Sequence, residues 1–212
     1  MTDVARAGES RVEKRQRRNR EALIEAGYQV MSAKGIDAAT MQEIAVLADV
    51  GAGTIYNYFH SKDDLAIAVL EKIMHRLAQR IEAVTNTFTD PAQVYAFGVR
   101  TVMRATTEDA RWRRLLNRAE VIAEAIFRVM GPFAIRDLQN ARAAGRYHFE
   151  SPDLIFRLAS HAIIGYGLAV VNGHIGPENI DEAVVDVLCM AGVDREMAWE
   201  LARRAAPPLP PE

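Results

Sequence analysis

Cysteine is nearly missing from this chain: Cys189 stands alone among 212 residues, so no internal disulfide and no cysteine-based zinc site can form. No apolar run approaches the roughly 18 residues of a membrane span. The N-terminal stretch MTDVARAGESRVEKRQRR is charged and is followed by no apolar segment, which argues against a secretory signal. Neither sign of charge dominates. The 26 basic and 28 acidic side chains leave a net charge of −2, which excludes a polycation that coats nucleic acid by bulk charge. Half the residues are apolar and a quarter charged, so wholesale disorder is excluded as well. A soluble cytoplasmic protein of one or two domains is expected, with no membrane partner.

Catalytic signatures are also lacking. There is no P-loop, no G-x-G-x-x-G, no His-Glu-x-x-His and no G-x-S-x-G. A di-iron bundle needs Glu-x-x-His pairs, and Glu71 and His75 are spaced by four instead. The five histidines are dispersed. The reading is therefore no enzyme, no cofactor and no metal. Cys189 reads as an inert thiol rather than an oxidant sensor.

What is present is helical period. Glycines and prolines are few and clustered, and no alternating strand pattern lies between them. Leu23, Ala26, Gly27, Val30 and Met31 recur as one buried helix face. That helix is expected from Arg11 to Lys34, with Gly35 in the left-handed position that ends a helix. A second starts at the capping box Thr40-Met41-Gln42-Glu43 and ends near Ala48-Asp49. A third, very short, is expected over 52–58. Ser61-Lys62-Asp63-Asp64 caps a fourth that runs to about Thr85. Further helices are expected near 92–106, 109–128, 132–144, 152–172, 177–191 and 194–204, several opened by proline in the first turn. The tail Pro207-Pro208-Leu209-Pro210-Pro211 reads as an extended, frayed end.

The informative block is Thr40 to Lys62, TMQEIAVLADVGAGTIYNYFHSK. Two short helices flank a tight connection. Met41, Ile44, Ala45, Ala48, Val50, Ile55 and Phe59 can share a small core with Leu23, Val30, Met31 and Ile36. That is a helix-turn-helix, whose second helix is held out to enter a major groove. Its outward residues Ala52, Gly53, Thr54, Tyr56, Asn57 and Tyr58 offer hydroxyls, an amide and close backbone approach. Thr40 and Lys62 can reach phosphates. Upstream, an arginine-rich arm that includes Arg17 and Arg18 can track the DNA backbone. Over residues 1–75 acidic and basic groups nearly balance, so binding must depend on where the positive groups sit and on two copies acting together.

The run Ile44-Ala45, Ala48-x-Val50, Gly53-Thr54-Ile55-Tyr56-x-Tyr58-Phe59-x-Ser61-Lys62-x-x-Leu65 resembles the DNA-binding domain of the TetR family of bacterial transcriptional regulators. The resemblance covers about residues 18–70. It implies a homodimer on a palindromic double-stranded DNA operator, and a larger helical domain that binds an inducer. Carried over by position, Thr40, Gly51, Ala52, Gly53, Thr54, Tyr56, Asn57, Tyr58 and Lys62 face DNA. Many relatives have a polar residue, often serine, where Gly51 stands, and a basic or polar one where Ala52 stands. Recognition here should therefore lean on Tyr56, Thr54 and the arginine arm.

The expected architecture is all-α: an N-terminal arm and three-helix helix-turn-helix domain over 1–60, a linking helix over 61–85, a ligand-binding and dimerisation bundle over 86–205, and a proline-rich tail over 206–212. The segment from Leu154 to Val171 is apolar nearly all round, so it is fully buried or packed on a partner. With the next helix it should form a four-helix dimer interface, through Leu158, Ile163, Leu168, Val184, Val187 and Leu188. An unknown small apolar or aromatic inducer should lie in the middle of the bundle, near Arg104, Trp112, Phe127, His161, Tyr166 and Asn172, with Met103 and Met130 as adaptable walls. A cavity of a few hundred Å³ would favour this reading. A closed bundle would favour a regulator controlled by a protein partner or by no effector. Repression is the family's default mode.

Overall fold

The computed structural model describes residues 10–108 and 118–211. Among these are nine α-helices and no strand. They divide into two compact units, one ending at Val69 and the other starting at Leu70.

The first unit opens with α1 (Arg11–Lys34). Ser10 caps it: its hydroxyl accepts from the Glu13 amide, and the Glu13 carboxylate accepts from the Ser10 amide. The first half of α1 is exposed, and the buried face begins at Leu23. Gly27 lets α1 lie close to its neighbour, since a Cβ there would come within 3.0 Å of Val69. Gly35 ends α1 with φ 87° and ψ 165°. The φ is positive, but the residue is extended rather than left-handed helical, because the chain must run on to Ile36 instead of folding back.

Helix α2 (Met41–Leu47) starts with the expected capping box: the Thr40 hydroxyl accepts from the Glu43 amide, and Glu43 accepts from the Thr40 amide at 2.7 Å. Lys34 lies 2.6 Å from the same carboxylate. These two donors hold Glu43 below the ordinary carboxylate range. At the other end the Val50 amide donates to Ala45 and the Asp49 amide to Val46, the paired bonds that close a helix around a left-handed residue. That residue is Asp49, with φ 53°. A side chain there costs energy that glycine avoids. Asp49→Gly should therefore stabilise the unit by roughly 0.5–1 kcal/mol, read as a rise in melting temperature.

The expected third helix is not an α-helix. Only Ile55–Asn57 winds, as a single 3₁₀ turn, within a run of turns. Its amides bond three residues back, Thr54 to Gly51 and Asn57 to Thr54. Gly53 and two β-branched residues within the seven positions 52–58, with Gly51 just before them, lower helix propensity, and the turn is fixed instead by its buried side chains. Ile55 and Phe59 are buried with Leu23, Met31, Ile36, Ile44 and Ala45, while Val30, Ala48 and Val50 are half-buried. Helix α3 (Lys62–Thr85) follows, its first amides capped by the Ser61 hydroxyl 3.0 Å from the Asp64 nitrogen.

The second unit is a bundle of the remainder of α3 with α4 (Pro91–Glu108), α5 (Ala119–Val129), α6 (Gly131–Ala143), α7 (Pro152–Val171), α8 (Ile180–Met190) and α9 (Arg195–Arg203). Helix α4 packs against α6, α7, α8 and α9, so it forms the axis of the bundle. Part of the expected 109–128 helix lies outside the described residues. Helix α7 corrects one expectation: by length and composition it is apolar enough to cross a membrane. Here it packs along one side on α4, α5, α6 and α8. The proline tail is not frayed either. Arg80 Nε donates to the Pro210 carbonyl at 2.6 Å, and Leu209 is half-buried.

Candidate functional site

The first unit presents the candidate DNA surface. Gly51, Ala52, Gly53, Tyr56 and Asn57 are exposed, and Thr54 and Tyr58 are half-buried. Tyr56 keeps 52% of its surface in solvent. The alternation follows from the anchoring, because burying Ile55 and Phe59 leaves the residues between them on the outside. Thr40 is exposed, its hydroxyl oxygen engaged by the Glu43 amide and its proton free to donate. Lys62 is half-buried, and its amine donates to the Asp37 carbonyl at 2.7 Å. It ties the α1–α2 connection to α3 and has two further N–H groups to offer.

Arg17 and Arg18 are exposed on α1. Arg17 lies 3.4 Å from Glu21, and Arg20 covers the Phe59 ring at 5.3 Å. Arg17, Arg20, Asn57 and Tyr58 border one cleft, so the arginine ridge and the turn after Thr54 form a continuous surface. Val46 and Leu47 are also exposed, at 73% and 52%. The sequence reading gave them no role, yet two exposed apolar residues in a row on α2 depart from its amphipathic pattern and could have been noticed.

The second unit holds a cavity of about 70 Å³. It is smaller than the few hundred Å³ expected, but about five times the roughly 10–15 Å³ that one water needs. Its apolar walls include Val99, Val102, Met130, Phe133 and Phe156. Four polar residues line it among the described ones: Glu82, Tyr95, Asp137 and Ser160. The Tyr95 phenol is 4% exposed, and no hydrogen-bond partner for it occurs among the described residues. Burial and the nearby Asp137 carboxylate push its pKa up. Burial also raises Asp137, and the Glu82 charge adds to this against the opposing Arg136. Arg136 holds both carboxylates, with Glu82 at 2.5 Å and Asp137 at 2.8 Å. The Ser160 hydroxyl donates to the Phe156 carbonyl at 2.7 Å, so its lone pairs remain open.

Of the six expected ligand residues, the five that are described do not line this cavity. Arg104 lies in a separate groove. Phe127 sits behind Phe156 with ring centroids 5.9 Å apart. His161 is exposed, with Nδ1 2.8 Å from the Arg157 carbonyl. Tyr166 is buried, but its hydroxyl donates to the Pro177 carbonyl. Asn172 is exposed at the end of α7. Trp112 lies outside the described residues. His161 and Asn172 mark the outer side of α7, whereas Ser160 on the same helix is buried and lines the cavity. Met130 does line the cavity, whereas Met103 is buried away from it.

The expected dimerisation residues divide. Leu158 is 47% exposed and Leu168 half-buried. Ile163 is buried and lines the cavity. Val184, Val187 and Leu188 fill the chain's own core. The outer side of α7 instead carries Leu154, Leu158, His161 and Gly165 at one helical stripe, all exposed.

Residues 90–204 match the model of the tetracyclin repressor-like C-terminal domain, and residues 23–69 match that of the bacterial regulatory proteins of the tetR family. The HTH-type transcriptional repressor KstR of Mycolicibacterium smegmatis is 31% identical over 59% of this chain, a match spanning 62% of KstR. The HTH-type transcriptional activator FasR of the same organism is 30% identical over 58% of this chain and 62% of its own. Among solved structures, RolR in complex with resorcinol superposes with a TM-score of 0.83 at 28% identity, covering 94% of this chain and all of RolR. These relatives are transcriptional regulators, not enzymes. The chain belongs to the tetR family of bacterial regulatory proteins.

Proposed function

We propose that this protein is a cytoplasmic, DNA-binding transcriptional repressor that acts as a homodimer on a palindromic operator and is released by a small hydroxylated aromatic ligand. The observation that carries the DNA-binding part is the exposed run Gly51–Tyr58 held over buried Ile55 and Phe59. The α7 stripe from Leu154 to Gly165 is the natural seat of the second copy, since Leu154 and Leu158 there are exposed. Two heads set one DNA turn apart, about 34–36 Å, would read the two half-sites.

The ligand class follows from the cavity. At about 70 Å³ it is less than half the roughly 150 Å³ of an apolar cavity that takes benzene. A single ring is therefore the upper limit and enters only as the walls move apart. Asp137 accepts hydrogen bonds, Ser160 has accepting capacity left, and the Tyr95 hydroxyl can do either, so the fitting ligand brings its own donors. The likeness to RolR bound to resorcinol supports the same class. Helix α3 contributes Ala78, Ile81 and Glu82 to the cavity and begins at Lys62 beside the DNA surface, so a ligand that shifts α3 would change operator affinity. A coupling of about 1–3 kcal/mol corresponds to roughly 5–150-fold.

The test is fluorescence anisotropy on labelled DNA from the region upstream of the protein's own gene, with and without resorcinol. Tight binding that resorcinol weakens supports the proposal. Gly98 gives a control: it lines the cavity, and a Cβ there meets nothing within 4 Å. Gly98→Leu should fill the space, gain close to 1 kcal/mol of helix propensity, keep DNA binding and lose the response. A variant that responds like wild type places the ligand elsewhere.

A further inference from the structure

The second unit has another recess, unrelated to the cavity just described. It is a groove of about 870 Å³, within the roughly 300–1,000 Å³ range of small-molecule sites. Helix α4 lines it with Phe97, Arg100, Thr101 and Arg104, and lines the cavity with Tyr95, Gly98, Val99 and Val102. At helical spacing these sets lie on opposite faces. Helix α3 divides in the same way, Leu77 and Arg80 to the groove, Ala78 and Ile81 to the cavity.

The groove is apolar at its floor and basic around it. Leu77 and Thr101 are buried and Phe97 is half-buried. The guanidinium-bearing residues Arg80, Arg100, Arg104 and Arg203 line it, against Glu108 as the acid in the lining. Asp181 approaches Arg100 at 3.7 Å and Arg203 at 4.0 Å, and Glu108 approaches Arg104 at 4.0 Å, so among the described residues these three guanidinium groups share two carboxylates and positive charge is in excess. Arg100 Nε is buried without a hydrogen-bond partner. The outer wall is the C-terminal tail, Ala205 to Leu209. It is held by the Arg80–Pro210 bond and, just before it, by Arg204 on Asp90 at 2.8 Å.

Three guanidinium groups beside an apolar floor that share two carboxylates at 3.7–4.0 Å retain donors for a further anion, and their planar forks match carboxylates and phosphates. We propose that this groove binds an organic anion with an apolar body, its carboxylate or phosphate head on Arg100 and Arg104, its chain against Leu77 and Phe97, and the proline tail as the wall that closes over it. The site stands whether or not the cavity takes a ligand.

Isothermal titration of the full chain with octanoate, octyl phosphate, 1-octanol and octyltrimethylammonium tests this. One or both anions should bind, one per chain, with the alcohol and the cation failing to do so. Preference between the two anions identifies the head group. Arg104→Gln, at an exposed position that the fold does not need, should weaken binding at least about tenfold, a difference of one decade in Kd. Arg100→Gln and deletion of residues 205–212 should each weaken it too, and Gly98→Leu should leave it unchanged. The proposal is overturned if neither anion binds, if octanol binds as tightly, if Arg104→Gln has no effect, or if Gly98→Leu abolishes binding.

Discussion

Tyr56→Ala is expected to eliminate tight operator binding while the protein stays folded. The side chain is 52% exposed, so its removal leaves the core of Ile55 and Phe59 in place and the melting temperature nearly unchanged. Its hydroxyl and ring stand between exposed Gly53 and Asn57, on the part of the unit that has no other use for them. A good side-chain contact to a base edge carries about 1–3 kcal/mol of discrimination. In a symmetric dimer on a palindrome the loss counts twice, about 2–6 kcal/mol, or roughly 30-fold to 10⁴-fold in affinity. Tyr56→Phe keeps the ring and removes only the hydroxyl, so it should blur the choice among operator sequences more than it lowers overall affinity. Lys62→Ala should behave differently. It removes a cation that can serve any phosphate, and it also releases the Asp37 carbonyl, so binding should weaken evenly across sequences with a small loss of stability. Anisotropy on operator and scrambled duplexes over a range of salt separates these outcomes. Unchanged operator affinity in Tyr56→Ala would remove this surface from the recognition scheme.

The helix-turn-helix was legible because its signals are local. The Thr40–Glu43 box and the Ser61 cap depend on residues three apart, and both form as the spacing dictates. The all-α architecture and most boundaries are legible for the same reason, since period and proline placement act within one helix. The short 3₁₀ turn at Ile55–Asn57 was read as a helix because burial of Ile55 and Phe59 has the same spacing in either winding. The cavity proposed to take the ligand was not legible. Which face of an apolar helix turns inward depends on its neighbours, and α7 is apolar nearly all round. Polar His161 and Asn172 therefore looked like buried contacts and are in fact on the outer side, whereas Tyr95 and Asp137 meet across α4 and α6, 42 positions apart in the sequence numbering. Val184, Val187 and Leu188 misled in the converse way. An apolar stripe shows that a face is covered, without showing whether the cover is the same chain or a second copy.

Gly192→Ala is expected to be the most damaging single methyl that can be added to the described bundle. Gly192 closes α8 with φ +70°, its amide donating to Cys189 and the Val193 amide to Leu188. A Cβ there would lie 1.9 Å from the His148 carbonyl oxygen and 2.7 Å from its carbon. Gly176 offers the contrast. A Cβ at that position would also fall 1.9 Å from its nearest atom, but the atom is the carboxylate end of Glu178, which can swing into solvent at little cost. At Gly192 the obstacle is main chain, and that segment is held in place by the His148 amide on the Ala191 carbonyl at 3.1 Å. It cannot retreat without breaking that bond. A left-handed alanine costs about 1–2 kcal/mol, and the lost bond plus displacement of the α6–α7 connection adds about 1–3 kcal/mol. Summed, the loss is about 2–5 kcal/mol, a large part of the stability of an ordinary domain. Thermal and urea unfolding should show it directly, while Gly176→Ala should unfold close to wild type. Because α8 and α9 pack on each other and α9 leads into the tail, the Gly192 variant should also bind octanoate more weakly before it unfolds, whereas the DNA-facing unit, which has no part in this turn, should keep its own helices.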